Sequence, residues 1–128
     1  MRNMFFSFGA ATLITHELDA MSNHEWRVLP LTSWLPDEYG MLVFLFAHIP
    51  VFAVLIGLLA SKKDHIRFRS RIGISVFLVV HGLLHALFLG NTNYEFASIA
   101  SKSLIFGGAL IGLIHLISEY AVAQNRNA

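Results

Sequence analysis

The segment THELDAMSNHEW, residues 15–26, concentrates side chains that bind metals or transfer protons. Two His-Glu pairs flank an aspartate; the members are His16, Glu17, Asp19, His24 and Glu25. Imidazole and carboxylate groups are ligands for zinc, iron, copper and nickel, and they also act as general acids and bases. HELDA is not the zinc-protease motif H-E-x-x-H, because residue 20 is alanine. The segment therefore predicts a site without identifying a reaction.

Three further histidines lie in strongly apolar stretches, at His48, His81 and His85. His81 and His85 have i,i+4 spacing, so on a helix both imidazoles share one face and can reach the same ion. Pro50 follows His48 by two positions and lacks a backbone donor. It is predicted to kink its helix beside that histidine.

These groups belong to four apolar segments, each long enough to cross a hydrocarbon core of about 30 Å as a helix. The segments cover residues 4–22, 40–60, 71–90 and 100–121. Helices satisfy their own backbone groups in lipid, and the unbroken apolar runs lack the alternation of a barrel. Of 128 residues, 55% are hydrophobic and 13% charged. We predict an all-α integral membrane protein, one domain over 1–128, with four transmembrane helices in a bundle.

Orientation is predicted from the connection SKKDHIRFRSR after the second segment. It holds most of the basic residues between segments, namely Lys62, Lys63, Arg67, Arg69 and Arg71. The positive-inside rule places this connection in the cytoplasm. With four spans, both termini are then cytoplasmic and the connections 23–39 and 91–99 face outside. We expect a multi-pass protein of the bacterial inner membrane.

Four of the histidines in these segments fall at one level of this arrangement, namely His16, His48, His81 and His85. At 1.5 Å per residue they lie about 8–14 Å below the outer ends of their helices. Ionisable groups in hydrocarbon cost a few kcal/mol each, so their accumulation at one depth needs a compensating partner. A transition metal ion, Zn, Fe or Cu, is the simplest one. The predicted ligands are His16, Asp19, His48, His81 and His85.

Roles outside the ligand shell are also predicted. Glu17 and Asp19 are candidate catalytic residues, because a carboxylate beside a metal can act as general base or orient a bound water. His24 and Glu25 are expected at the wet interface in solvated or salt-bridged roles. His115 lies deeper, with Glu119, and cross-helix hydrogen bonding explains that pair as well as function does.

Several classes are excluded or left open by composition. The chain has no cysteine, so thiolate metal sites and disulfides are excluded. The net charge of +1 argues against a nucleic-acid partner. The favoured function is a metal-dependent enzyme, an oxidoreductase or hydrolase acting on a lipophilic or small substrate. The alternatives are a haem b electron-transfer or membrane-anchor subunit, with His48 and either His81 or His85 as axial pair, and a metal-ion or proton transporter or accessory subunit.

The expected partners are the lipid bilayer and a second copy or a larger membrane complex. Two small-residue faces permit close helix packing within or between chains. They are Gly108-x-x-x-Gly112 and Ala53-x-x-x-Gly57.

Three stretches carry a resemblance to a known family: HELDAMSNHEW, FAHIPVF and LLHALFLGNTNYEFASIASKSLIFGGALIG. Together they resemble an uncharacterised family of small bacterial four-helix membrane proteins, a domain of unknown function with an N-terminal His-Glu-Leu/Ile-Asp motif. The resemblance covers most of the chain and implies the fold without a reaction. It singles out His16, Glu17, Asp19, Glu25, Trp26, His85, Glu95 and Phe96. His48 and His81 match that pattern less clearly.

Overall fold

The computed structural model describes residues 1–127, with side chains described to residue 125. All regular secondary structure in this part of the chain is helical. The helices are α1 (Arg2–Ser22), α2 (Asp37–Leu59), α3 (Asp64–Phe88) and α4 (Ile99–Asn127). A short 3-10 helix, Glu25–Arg27, follows α1. The prediction of an all-α protein is confirmed. Three helices, α2, α3 and α4, are long and apolar enough to cross a membrane.

The first helix, α1, is not among those three, because its hydrophobicity is interrupted by polar residues. A fourth transmembrane helix and cytoplasmic termini therefore stay predictions. Helix α3 begins at Asp64, well before the apolar segment that starts at residue 71. Arg67 and Arg69 consequently lie on the first turns of α3 instead of in a loop. Hydropathy marks only the apolar part of a helix, and the basic turns continue it beyond that part.

Helix α4 packs against both α1 and α3. Glycine lets α3 and α4 approach closely, since a Cβ on Gly82 would lie 2.6 Å from the Cβ of Ala109. A Cβ on Gly112 would lie 2.8 Å from the Ser75 carbonyl oxygen. The predicted Gly108–Gly112 face is thus used inside the chain, where small residues permit close backbone contact.

Helix α1 runs antiparallel to α4 along most of its length. Near one end, Arg2 Nη1 donates a hydrogen bond of 2.8 Å to Glu119 Oε2. Near the other end, Ser101 Oγ donates one of 3.1 Å to Asp19 Oδ1. These two contacts fix the register of α1 against a helix that is apolar enough to span a membrane.

Helix α2 lies at the edge of the structure, against α3 and the 3-10 helix. Only 6% of its most apolar window is buried, compared with 33% for α3. The core of the protein is therefore α1, α3 and α4, and α2 leaves space against them. A helix that is apolar all round and exposed on most sides is suited to a lipid environment.

Candidate metal centre

Three histidines and one glutamate point their ligand atoms at one another. They come from α1, the 3-10 helix and α3, and we call them the His3Glu cluster: His16, Glu25, His81 and His85. All four ligand atoms lie within 4.8 Å of one another. His81 Nε2 is 2.8 Å from His16 Nε2 and 3.1 Å from His85 Nε2. Three imidazoles thus present the same ring nitrogen to one point.

The Glu25 carboxylate completes this group. Its oxygens lie 3.5 Å from His16 Nε2, 3.4 Å from His85 Nε2 and 4.0 Å from His81 Nε2. In a tetrahedral site with bonds of about 2.0–2.1 Å, ligand atoms are separated by about 3.3–3.4 Å. The distances in the cluster bracket that value. Its residues therefore fit a four-coordinate metal ion.

Hydrogen bonding alone does not account for the cluster. Each imidazole nitrogen carries either one proton or one lone pair in the ring plane. His81 Nε2 therefore forms at most one well-aligned hydrogen bond, although two other Nε2 atoms lie within 3.1 Å of it. Nδ1 of His16 faces away from this point and is buried without a hydrogen-bond partner among the described residues. A cation at the shared point would use all three lone pairs at once.

The two α3 histidines are held in place from both sides. His81 and His85 occupy successive turns of the same face, as the spacing predicts. The Phe77 ring stacks on His81 with centroids 5.3 Å apart. Nδ1 of His85 lies 3.1 Å from the Tyr94 hydroxyl. This contact holds the orientation of the ring, and with Nδ1 donating to the hydroxyl oxygen, Nε2 keeps its lone pair for a metal.

A left-handed residue brings Glu25 into the cluster. His24 has φ 49°, the one positive φ of a non-glycine residue in the described chain. This turn reverses the chain after α1 and directs Glu25 back under the helix end, where only 3% of its side chain is exposed. Left-handed backbone is unfavourable for most residues, though histidine tolerates it better than branched ones. The prediction that Glu25 lies at the wet interface is corrected: it is buried among the histidines.

A surface ion-pair network holds this turn. Arg27 donates from Nε and Nη2 to the two oxygens of Asp37, over 2.8 and 2.9 Å, and from Nη1 to Glu95 over 2.8 Å. His24 Nδ1 lies 2.8 Å from the other oxygen of Glu95. Trp26 Nε1 also donates to Asp37, over 2.8 Å. The network joins the 3-10 helix to the start of α2 and to the loop after α3.

Three ionisable side chains outside the long helices, Glu25, Tyr94 and Glu95, have shifted pKa values. Burial raises the pKa of the Glu25 carboxyl, but contacts with His16 and His85 outweigh it and lower the pKa to about 2. Burial raises the pKa of Tyr94 to about 12. The hydrogen bond with His24 holds the pKa of Glu95 below its usual value. Glu25 and Glu95 are therefore anions near neutral pH, and Tyr94 keeps its proton.

Aromatic side chains cover the cluster. Phe96 is fully buried, with its ring centroid 5.6 Å from that of His16 and 4.8 Å from that of His85. It belongs to an apolar group that also contains Trp26 and Phe44. This cover keeps bulk water from the ligand atoms, which strengthens their electrostatic interaction with a cation.

The remaining predicted residues occupy neighbouring positions. His48 does not join the cluster in this structure; its Nε2 lies 2.8 Å from Glu17 Oε2. Asp19 instead accepts the hydrogen bond from Ser101, and its Oδ2 is buried with no partner in the described part of the chain. The structure thus brings together three of the five predicted ligands. It replaces the predicted carboxylate Asp19 with Glu25.

The deeper pair forms a second polar group at the other end of α4. Nδ1 of His115 lies 2.8 Å from Ser75 Oγ, and its Nε2 lies 3.6 Å from Glu119. Glu119 is also paired with Arg2. Each member of this group therefore has a hydrogen-bond or ion-pair partner, as expected for polar side chains at a contact between helices.

Comparison with protein families gives one match. The model described as "Family of unknown function (DUF6713)" matches residues 2–122, nearly the whole chain. Neither the curated proteins nor the solved structures give a significant match. The match supplies a family without an activity, so the function must be argued from the site.

Proposed function

We propose that this chain, which belongs to the family of unknown function DUF6713, is an integral membrane metalloprotein whose His3Glu cluster binds a transition metal ion. The observation that carries the proposal is the convergence of three Nε2 atoms and one carboxylate within 4.8 Å. Buried ionisable groups in a membrane protein need a partner, and a divalent cation neutralises the carboxylate while using the imidazole lone pairs.

Zinc is the ion that the ligand set favours. Neutral imidazoles and a carboxylate at tetrahedral separations match zinc sites, and no geometry typical of square-planar copper is required. Iron and copper are the other candidates, since imidazole suits both. Metal content and the visible absorption spectrum of the same sample distinguish the three.

We favour an enzyme over the two alternatives for specific reasons. Haem with two axial histidines requires them on opposite faces of a macrocycle, whereas the three Nε2 atoms crowd one point. Transport requires a polar route to the ion, and Phe96 and the other rings cover the cluster. A metal held by the three imidazoles alone would keep its fourth position open for a substrate or a single water, where it would supply Lewis-acid chemistry. Glu25 would then act as general base beside the metal, whereas Glu25 as a fourth ligand would make the site structural.

The fourth span and the orientation belong to the same proposal. Contacts at both ends align α1 with α4, which supports α1 crossing the bilayer beside it. Polar residues on a spanning helix are tolerated where they face the bundle interior. The basic start of α3 supports a cytoplasmic position for the α2–α3 connection and for both termini.

Elemental analysis tests the metal proposal. Protein purified in mild detergent without chelator should carry close to one metal ion per chain, and the His81→Ala, His85→Ala double variant should carry about a tenth of that or less. The matched control is His48→Ala, which removes a histidine from the same depth but outside the cluster. Metal-free wild-type protein with intact helicity would overturn the proposal.

A further inference from the structure

A cleft of about 340 Å³ lies between α1, α2 and α3, next to the His3Glu cluster. Its walls are aliphatic and aromatic, including Leu13, Phe52 and Leu55. Its polar groups include the Glu17–His48 pair, whose side chains are 17% and 26% exposed. The cleft exists because α2 packs loosely against the core and leaves its apolar face without a close neighbour.

Two residues that line the cleft are neighbours of the metal cluster, although no cluster residue lines it. Phe77 lines the cleft and stacks on His81. Glu17 also lines it and follows His16 directly in α1. A molecule in the cleft would therefore be separated from the ligand His81 by the ring of Phe77.

The polar pair has a defined hydrogen-bond arrangement. Nδ1 of His48 lies 2.6 Å from the Phe44 carbonyl oxygen, which can only accept, so Nδ1 donates. One further proton is shared across the 2.8 Å contact with Glu17. Whichever atom holds that proton, the pair has no net charge. The second Glu17 oxygen can accept a hydrogen bond from a ligand at this end of the cleft.

We infer that this cleft binds a single-chain, uncharged amphiphile from the bilayer, with its hydrocarbon chain along α2 and α3 and a hydroxyl head at the Glu17–His48 pair. The amphiphile would be a substrate class for the metal centre, and that part of the inference rests on the proposed function. The apolar walls match a hydrocarbon chain, and the neutral pair offers hydrogen bonds without attracting a charged head. A charged head would lose hydration without gaining a counter-ion.

Two glycines provide a matched test. Gly73 lines the cleft, and a Cβ placed there would meet nothing within 4 Å. Gly57 on α2 is equally open but is not among the cleft-lining residues. Gly73→Phe therefore fills the cleft, whereas Gly57→Phe adds the same side chain to a membrane-exposed helix.

The probe is hexadecanol carrying a diazirine on its chain, photo-crosslinked to detergent-purified protein and mapped by peptide mass spectrometry. Labelling should concentrate on cleft residues such as Phe52 and Leu55 and should fall about tenfold in Gly73→Phe. Unlabelled hexadecanol should reduce the labelling more strongly than palmitate or hexadecyltrimethylammonium does. Gly57→Phe should label like the wild type.

Metal content measured on the same samples separates this inference from the metal proposal. Labelling that is spread over all lipid-facing helices, or that is equal in Gly73→Phe and Gly57→Phe, would overturn the cleft inference even if the metal is present. Conversely, cleft labelling retained in a metal-free wild type would support the binding site and contradict the metal proposal.

Discussion

Nε2 of His81 lies 2.8 Å from Nε2 of His16, across the contact between α3 and α1. Two like nitrogens this close are compatible with one shared proton or with one shared cation. The third imidazole and the buried carboxylate favour the cation, because one proton does not satisfy four ligand atoms.

Replacing Glu25 by Gln should weaken metal binding strongly while leaving the helices intact. The amide keeps the shape of the carboxylate but removes the negative charge that offsets the cation. We expect the metal dissociation constant to rise about tenfold to a hundredfold. Isothermal titration of the chelator-stripped protein with zinc measures the change. Glu38→Gln, at the exposed start of α2 and outside this network, is the control and should change the constant much less.

Removing the Tyr94 hydroxyl should release His85 from its fixed orientation. In Tyr94→Phe the 3.1 Å contact with Nδ1 is lost, while the ring packing of the tyrosine is kept. Loss of such a partner typically costs about tenfold in metal affinity. Competition with a coloured chelator measures it. An affinity equal to that of the wild type, or of the exposed control Tyr39→Phe, would show that this hydroxyl does not support the site.

Acid should release the metal before it protonates Glu25. Imidazoles, with an ordinary pKa of about 6.5, must be neutral to bind a metal. Histidine contacts lower the pKa of Glu25 from 4.5 to about 2 against the effect of burial. A carboxyl whose pKa is lower in the folded than in the unfolded state stabilises the fold at pH values above its unfolded-state pKa. This stabilisation is lost as pH falls through the folded-state pKa. We therefore expect the metal to leave first as pH falls, with helicity retained at least to pH 4.5, the ordinary pKa of the Glu25 carboxyl.

Metal analysis after dialysis, together with far-ultraviolet circular dichroism at each pH, checks that order of events. Simultaneous loss of metal and helicity near pH 6 would contradict it. Metal retained at pH 4 would contradict it as well.

The surface ion-pair network should hold the turn that buries Glu25. Arg27→Ala removes the cation shared by Asp37 and Glu95, so the 3-10 helix should open more often and the metal should dissociate faster. Exposed ion pairs contribute little to global stability, so the unfolding midpoint should change only slightly. Stopped-flow release to a chelator measures the rate. Arg67→Ala, which removes an ion pair with Asp64 on α3, should leave the rate unchanged.

The topology can be mapped with single cysteines, because the native chain has none. If α1 crosses the bilayer, the single-cysteine variants Asn3→Cys and Lys63→Cys should react with a membrane-impermeant maleimide only after the membrane is permeabilised. A cysteine at Thr92 should react in intact cells. Reaction of the Asn3 variant in intact cells would show that the N terminus is outside and would contradict the four-span arrangement.

The helices and part of the site follow from the sequence because their signals are local. Apolar runs of membrane-spanning length identify α2, α3 and α4, and i,i+4 spacing places His81 and His85 on one face. Depth along a helix is simple arithmetic, so His16 could be assigned to the same level. The pairing of His48 with Glu17 depends on how α2 packs against α1 and α3, and the depth of a residue along its helix does not specify that packing.

The sequence by itself determined that a helical, membrane-suited chain carries imidazoles at one depth, because hydrophobicity and helical periodicity are properties of each segment alone. Only the tertiary structure decided which carboxylate meets them. The left-handed turn at His24 and the ion pairs of Arg27 fold Glu25 back into the cluster, whereas Asp19 faces Ser101. A single backbone angle reverses the chain there, and its stabilising partners come from distant segments that no local pattern connects.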